Sequence, residues 1–389
     1  MSACTTDARI EPEEAEAAGR SRSSRGERRV PPVIRPATFT LLALVTACGG
    51  VRPSAPASPP PMPSSPPAAT EVEPLKAAAA PARLVGAAVQ ARLLRTEPAY
   101  AAAVAHHFSY TTAEFEMKWG QIERQPGQRD YGPADEIAGF AEARGMRIKG
   151  HALVWHGDSP AWLESLSPPE ARIALEDHIR TTVGRYRGRI LAWDVVNEAI
   201  ADDRSGLRDT VYLRKLGPGY IAEAFRRAHE ADPDALLIYN DYGGEGLNRK
   251  SDDVYNLVRD LRAQGVPIGG VGLQMHLDAA SFPAAADIAR NMRRLAELGL
   301  LVNISEMDVR VARLPGTLAM RLDDQRRVYH DVVAVCVAEP RCHAITFWGF
   351  TDRYSWIDAF FGPDDPLLFD ESYRAKPAYF GVMDALRGR

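Results

Sequence analysis

From residue 82 to the C-terminus at 389, short β-rich runs alternate with stretches of helical periodicity. The runs cover 84–89, 107–113, 146–155, 190–198, 235–241, 271–277, 301–308 and 344–351. Amphipathic stretches at 133–144, 170–186, 220–231, 252–263 and 284–298 separate most of them. A helix between two strands carries the chain back to the starting edge, so the strands pair in parallel. Eight such units in regular order are the content of a closed (β/α)8 TIM barrel, an α/β fold. An open doubly wound sheet uses the same elements. It would usually carry a glycine-rich phosphate loop after its first strand, and Gln90-Ala91-Arg92 follows here. No repeat of 20–50 residues is apparent.

The front of the chain has a different composition. Residues 1–36 are rich in Arg, Glu, Ala and Ser, lack apolar periodicity and read as disordered. The run ATFTLLALVTA at 37–47 follows Arg28, Arg29 and Arg35. It is shorter than the roughly 20 residues that span a bilayer, and its basic flank and small C-terminal residues fit an export signal. Val45-Thr46-Ala47-Cys48 resembles a bacterial lipobox, in which Cys48 is lipidated and becomes the mature N-terminus. A start near Val30 would give such a signal a more ordinary length. The Pro/Ala/Ser stretch at 51–81 reads as an extended, semi-rigid linker. The expected division is an export segment at 1–48, a linker at 49–81 and one catalytic barrel at 82–389. The expected location is the outer membrane or cell surface, or otherwise secretion. Contact with a membrane is expected only through the lipid. A net charge of −4 over 389 residues gives no electrostatic case for nucleic acid. Four cysteines are too few for a disulfide scaffold. With Cys48 lipidated, Cys336 and Cys342 remain as the natural pair, flanking a short turn in an exported chain.

Polar and aromatic residues crowd the C-terminal ends of the runs. The second ends in Glu114, Glu116, Lys118 and Trp119, and the third carries His151, Trp155 and His156. The fourth ends in Asn197-Glu198, the fifth in Asn240-Asp241-Tyr242 and the sixth in Gln274 and His276. The seventh ends in Glu306 and Asp308, and the eighth in Trp348 and Asp352. One such residue is an ordinary loop cap; seven strands ending this way mark the active face of a barrel. Glu198 and Glu306 fall on roughly opposite sides of its mouth. Glycoside hydrolysis needs such a carboxyl pair, one to protonate the leaving oxygen and one to act at the anomeric carbon. Sequence gives no separation between them, so spacing leaves retention and inversion both open. Asn197 can reach a sugar hydroxyl, and His276 can bond Glu306 with Asp308 orienting its ring. Trp155, Trp348 and Trp356 offer flat faces for pyranose rings, though core packing explains any one of them equally well. No HExxH and no paired Cys/His spacing occurs, so no metal is expected, and no GxSxG elbow marks a serine nucleophile.

Six blocks together resemble glycoside hydrolase family 10, the barrel xylanases. They are GHALVWH (150–156), WDVVNE (193–198), ADPDALLIYNDY (231–242), GVPIGGVGLQMHL (265–277), SEMD (305–308) and ITFWGFTD (345–352). The resemblance runs from about Leu84 to Met383. It implies a retaining endo-β-1,4-xylanase acting through a covalent glycosyl-enzyme on xylan or xylo-oligosaccharides, with no cofactor. Glu198 would be the acid/base, Glu306 the nucleophile, and Asn197 the partner of the 2-hydroxyl. His276 and Asp308 would support the nucleophile. Glu114, Lys118, His151, Trp155, Trp348 and Trp356 would line the glycone side, with Asp158, Tyr242 and Gln274 also in the cleft. It also implies a bridge between Cys336 and Cys342; a monomer is expected. Two positions depart from the family pattern. Phe115 stands where an Asn serves subsite −2, and Asp158 stands where a Gln lies near the −1 sugar. A charge at Asp158 near Glu306 would raise the pair's apparent pKa. These changes keep open a related β-glycanase or an exo-acting xylo-oligosaccharide hydrolase. A non-catalytic glycan binder would have no use for four intact catalytic-type residues.

Overall fold

The computed structural model describes residues 68–389 apart from Ala80 and Arg204. The export-type segment and Cys48 therefore lie outside the described residues. The strands are β1 Leu84–Val89, β2 Tyr110–Ala113, β3 Arg147–Trp155, β4 Ala192–Asn197, β5 Leu236–Asp241, β6 Gly270–Leu273, β7 His276–Asp278, β8 Leu301–Arg310 and β9 Ala344–Phe347. Each pairs in parallel with its neighbours in the order β6-β5-β4-β3-β2-β1-β9-β8, and β6 pairs with β8 to close the ring. The ring has eight positions because β7 prolongs the sixth strand and pairs with β8 alone. The break falls at Met275, whose φ of +63° is left-handed.

Helices pack outside the ring as the periodicity predicts. In Ala285–Glu297 the buried Ile288, Met292 and Leu295 recur at helical spacing and form the core-facing stripe. Pro168–Arg185 starts in a capping box, with Ser167 and Glu170 closing on each other's backbone. Leu318–Ala338 is harder to read, because Arg321, Asp323, Asp324, Arg326 and Arg327 crowd its first half and its buried positions begin at Gln325. Two boundaries differ from expectation. His107 ends the helix Pro98–His107 instead of opening a strand, and its Nε2 lies 2.6 Å from the Ala69 carbonyl. The folded unit also begins before residue 82. Leu75 and Ala79 are buried in the short helix Leu75–Ala79, which packs against Pro377–Leu386, and the Tyr379 hydroxyl donates to the Glu73 carbonyl. An alanine-rich stretch reads as linker, yet burial of Leu75 and Ala79 seats it on the barrel. Cys336 and Cys342 form a disulfide joining the end of Leu318–Ala338 to the segment before β9.

Candidate active site

Glu198 follows an irregularity in its strand, and Glu306 lies within one. Between Asp194 and Val196, β4 advances two residues while β5 advances one, from Ile238 to Tyr239. Between Ile304 and Met307, β8 advances three while β9 advances two, from Ile345 to Phe347. One extra residue re-aims the side chains at and beside it. Glu198 lies one residue past β4 with φ +58°. For a residue with a Cβ this conformation costs about 1–3 kcal/mol, so the surroundings must hold it.

Glu306 is buried in β8. Asn240 Nδ2 donates to its Oε1 at 2.5 Å, His276 Nε2 lies 3.4 Å from Oε2, and His151 Nδ1 lies 3.8 Å from Oε1. Burial pushes the carboxyl up. The His151 and His276 imidazoles and the Lys149 ammonium outweigh it and hold the group at about 2. For His276, burial would lower the pKa, but Asp308 at 2.8 Å and Glu306 lift it to about 10. Asp308 is fixed in turn by the Trp356 indole, which donates to Oδ2 at 2.8 Å. Deeper in, His151 Nδ1 is 2.9 Å and Lys149 Nζ 2.8 Å from Asp194 Oδ2. His151, Asp194 and Glu306 present ligand atoms within 4.8 Å of one another, a spacing that would suit a metal ion. The Lys149 ammonium already supplies positive charge there.

Glu198 is tied from the other side. Trp155 Nε1 donates to Oε2 at 2.8 Å, and Gln274 Nε2 and Asn197 Nδ2 donate to Oε1 at 2.9 and 3.2 Å. Asn197 Oδ1 accepts from Asn240 Nδ2 at 2.8 Å and from Gln274 Nε2 at 3.3 Å. Three amides thus span the floor between the two carboxylates. Gly272 makes this possible: a Cβ there would stand 2.1 Å from Asn240 Oδ1 and 3.0 Å from Ser305 Oγ. His156 Nδ1 is 4.0 Å from Glu198 Oε2 and has no hydrogen-bond partner among the described residues.

On the rim, Lys118 Nζ sits 4.4, 5.0 and 5.9 Å from the ring centres of Trp155, Phe115 and Trp348. Glu114 is buried beside Gln90, at 3.0 Å, and burial raises it to about 7. Phe115 is 42% exposed, so its ring turns outward as a hydrophobic surface beside Lys118. Asp158 Oδ2 accepts from Gln121 at 2.9 Å, and its charge acts on Lys118. Nothing in these contacts brings Asp158 against Glu306. Tyr242 stands apart from the glycone rim, bonded to Asp202 and Arg208, with Lys250 Nζ 3.7 Å above its ring. Sequence reasoning placed Asn240 at a strand end without giving it a role, and missed Lys149 and Asp194. Strand pairing was the signal: Asn240 is opposite Asn197, and Asp194 is opposite His151.

The arrangement can act on a glycosidic bond, with one carboxyl held ionised and another beside an indole and amides. The model of glycosyl hydrolase family 10 matches residues 74–385. Endo-1,4-beta-xylanase B of Thermotoga neapolitana is 43% identical over 282 residues, covering 72% of this chain and 81% of that protein. The crystal structure of native xylanase 10B from Thermotoga maritima is 40% identical with a TM-score of 0.77, covering 81% of this chain and 98% of that one. Xylanase 10B from Thermotoga petrophila RKU-1, solved in complex with xylobiose, is 39% identical with a TM-score of 0.78, covering 81% and 97%. With the family model matched from before β1 into the final helix, this chain belongs to glycosyl hydrolase family 10.

Proposed function

We propose that this chain is a retaining endo-β-1,4-xylanase in which Glu306 attacks the anomeric carbon and Glu198 protonates the departing oxygen. The observation that carries the reading is the unequal treatment of the two carboxyls. Cationic neighbours hold Glu306 at about 2, so it stays ionised as a nucleophile must. Glu198 lies across the amide floor, where it receives hydrogen bonds from neutral donors, Trp155, Gln274 and Asn197. In the first step the Glu306 oxygen bonds to the sugar carbon while the leaving oxygen takes the Glu198 proton. In the second, Glu198 accepts a proton from water, which displaces Glu306 and restores the configuration. Trp155, Trp348 and Trp356 border the glycone half, and the resemblance of this cleft to xylanases supports xylo-oligosaccharide as the occupant.

Chemical rescue tests the roles. With a xylobioside of a very good leaving group, Glu198→Ala should keep its first step, and azide should restore turnover as a β-glycosyl azide. Azide should rescue Glu306→Ala as the α-product. Loss in both variants with no azide adduct would contradict the assignment.

A further inference from the structure

The chemistry above leaves unexplained what holds Glu198 in its left-handed turn. Only Met275 and Tyr373 share such a φ among the described non-glycine residues. The backbone after Glu198 ends largely on Arg208, ten residues downstream on the loop that enters the helix Val211–Leu216. Arg208 Nε donates to the Glu198 carbonyl at 3.1 Å and Nη2 to the Ile200 carbonyl at 3.2 Å, while its backbone N–H donates to the Ala199 carbonyl at 2.7 Å. Three successive carbonyls thus converge on one residue. The same Nη2 also lies 2.9 Å from Asp202 Oδ2 and 3.1 Å from Tyr242 Oη, and Lys250 Nζ holds Asp202 at 2.7 Å. The N–H groups of Ala199 and Ile200 donate to Tyr239 Oη and Asp241 Oδ2 at 3.1 and 3.4 Å. The Arg208 side chain is 15% exposed and makes no hydrogen bond to either catalytic carboxylate.

We propose that Arg208 is a positioning residue for the acid/base step: by gripping the Glu198 and Ile200 carbonyls it fixes the turn that aims the Glu198 carboxyl at the departing oxygen. This rests on the reading of Glu198 as acid/base. A guanidinium is a rigid planar fork that meets two acceptors at once, whereas an ammonium is a single point charge. Proton transfer needs the donor within hydrogen-bond reach of the leaving oxygen, so a slackened turn penalises the steps that need the proton. A substrate whose leaving group departs unprotonated is spared. That selectivity separates positioning from general damage to the fold.

The test compares the full chain carrying Arg208→Ala, Arg208→Lys or Glu198→Ala with the unaltered protein. kcat/KM is measured on aryl β-xylobiosides running from 2,4-dinitrophenyl to phenyl, with Tm recorded for each variant. For Arg208→Ala the expected fall is about 30-fold or more on the phenyl substrate and under about threefold on the dinitrophenyl one. Arg208→Lys should fall between that variant and the unaltered protein, graded in the same sense. An equal fall along the whole series, or none, overturns the proposal, provided Glu198→Ala is itself graded. A flat series for Glu198→Ala overturns the acid/base reading instead. If Arg208→Ala does not fold, the slope of Arg208→Lys decides alone: graded supports the proposal, flat contradicts it.

Discussion

At the scale of single residues, Glu306 is ionised because of its neighbours and in spite of its burial. His276 is the neighbour most open to test. It lies 3.4 Å from Glu306 and is lifted to about 10, so it is an imidazolium at neutral pH. Removing it takes a positive charge from a carboxylate in a low-dielectric site, and the carboxyl pKa must rise. His276→Ala should therefore move the acidic limb of the kcat/KM profile to higher pH; an unmoved limb would mean that His276 does not hold the charge. Phe115 makes the second prediction. Its exposed ring offers no hydrogen bond where the family pattern has an amide, so Phe115→Asn should lower KM on xylotriose, by roughly two- to tenfold. An unchanged KM would place that side chain outside the glycone site. Asp158 now carries a different expectation from the one its sequence position gave. Its bond to Gln121 and its effect on Lys118 tie it to the rim, so Asp158→Gln should change KM more than it changes the acidic limb.

At the scale of elements, the strand ends were legible because periodicity locates a parallel strand and barrel logic then says which end matters. Glu198 and Glu306 were placed at strand ends this way, and the structure puts both at the barrel mouth. The interruption of the sixth strand at Met275 was not, since GLQMHL reads as one continuous run and only tertiary pairing of His276–Asp278 with β8 separates it. The extra residues before Glu198 and around Glu306 were equally silent, because a bulge shows in the register of two strands and a sequence lists one at a time. Helix Leu318–Ala338 hid its buried face behind a charged first half. Its disulfide is separable from the chemistry. The Cys336–Cys342 loop is only six residues along the chain, so the chain-entropy model gives at most about 2–3 kcal/mol. The double Ser variant should lose roughly 2–6 °C in Tm while kcat on xylan stays unchanged. A drop in kcat at a temperature well below Tm would show that the bridge reaches the site.

At the scale of the whole molecule, composition and order gave a single closed barrel, and the ring closes through β6 and β8. The first boundary was misplaced because alanine and proline hide the anchoring role of Leu75. On the proposed reading, what makes the barrel a hydrolase is a division of charge across its mouth: cations gather around Glu306, neutral donors around Glu198, and the amides of Asn197, Asn240 and Gln274 lie between. That division predicts a covalent intermediate on one named side chain. The direct measurement is peptide mass spectrometry after incubation with a 2-deoxy-2-fluoro xylobioside bearing a good leaving group, which accumulates a glycosyl-enzyme when attack is nucleophilic. One xylobiosyl unit should appear on Glu306; a label on Glu198, or none despite turnover of the unfluorinated substrate, would contradict the account.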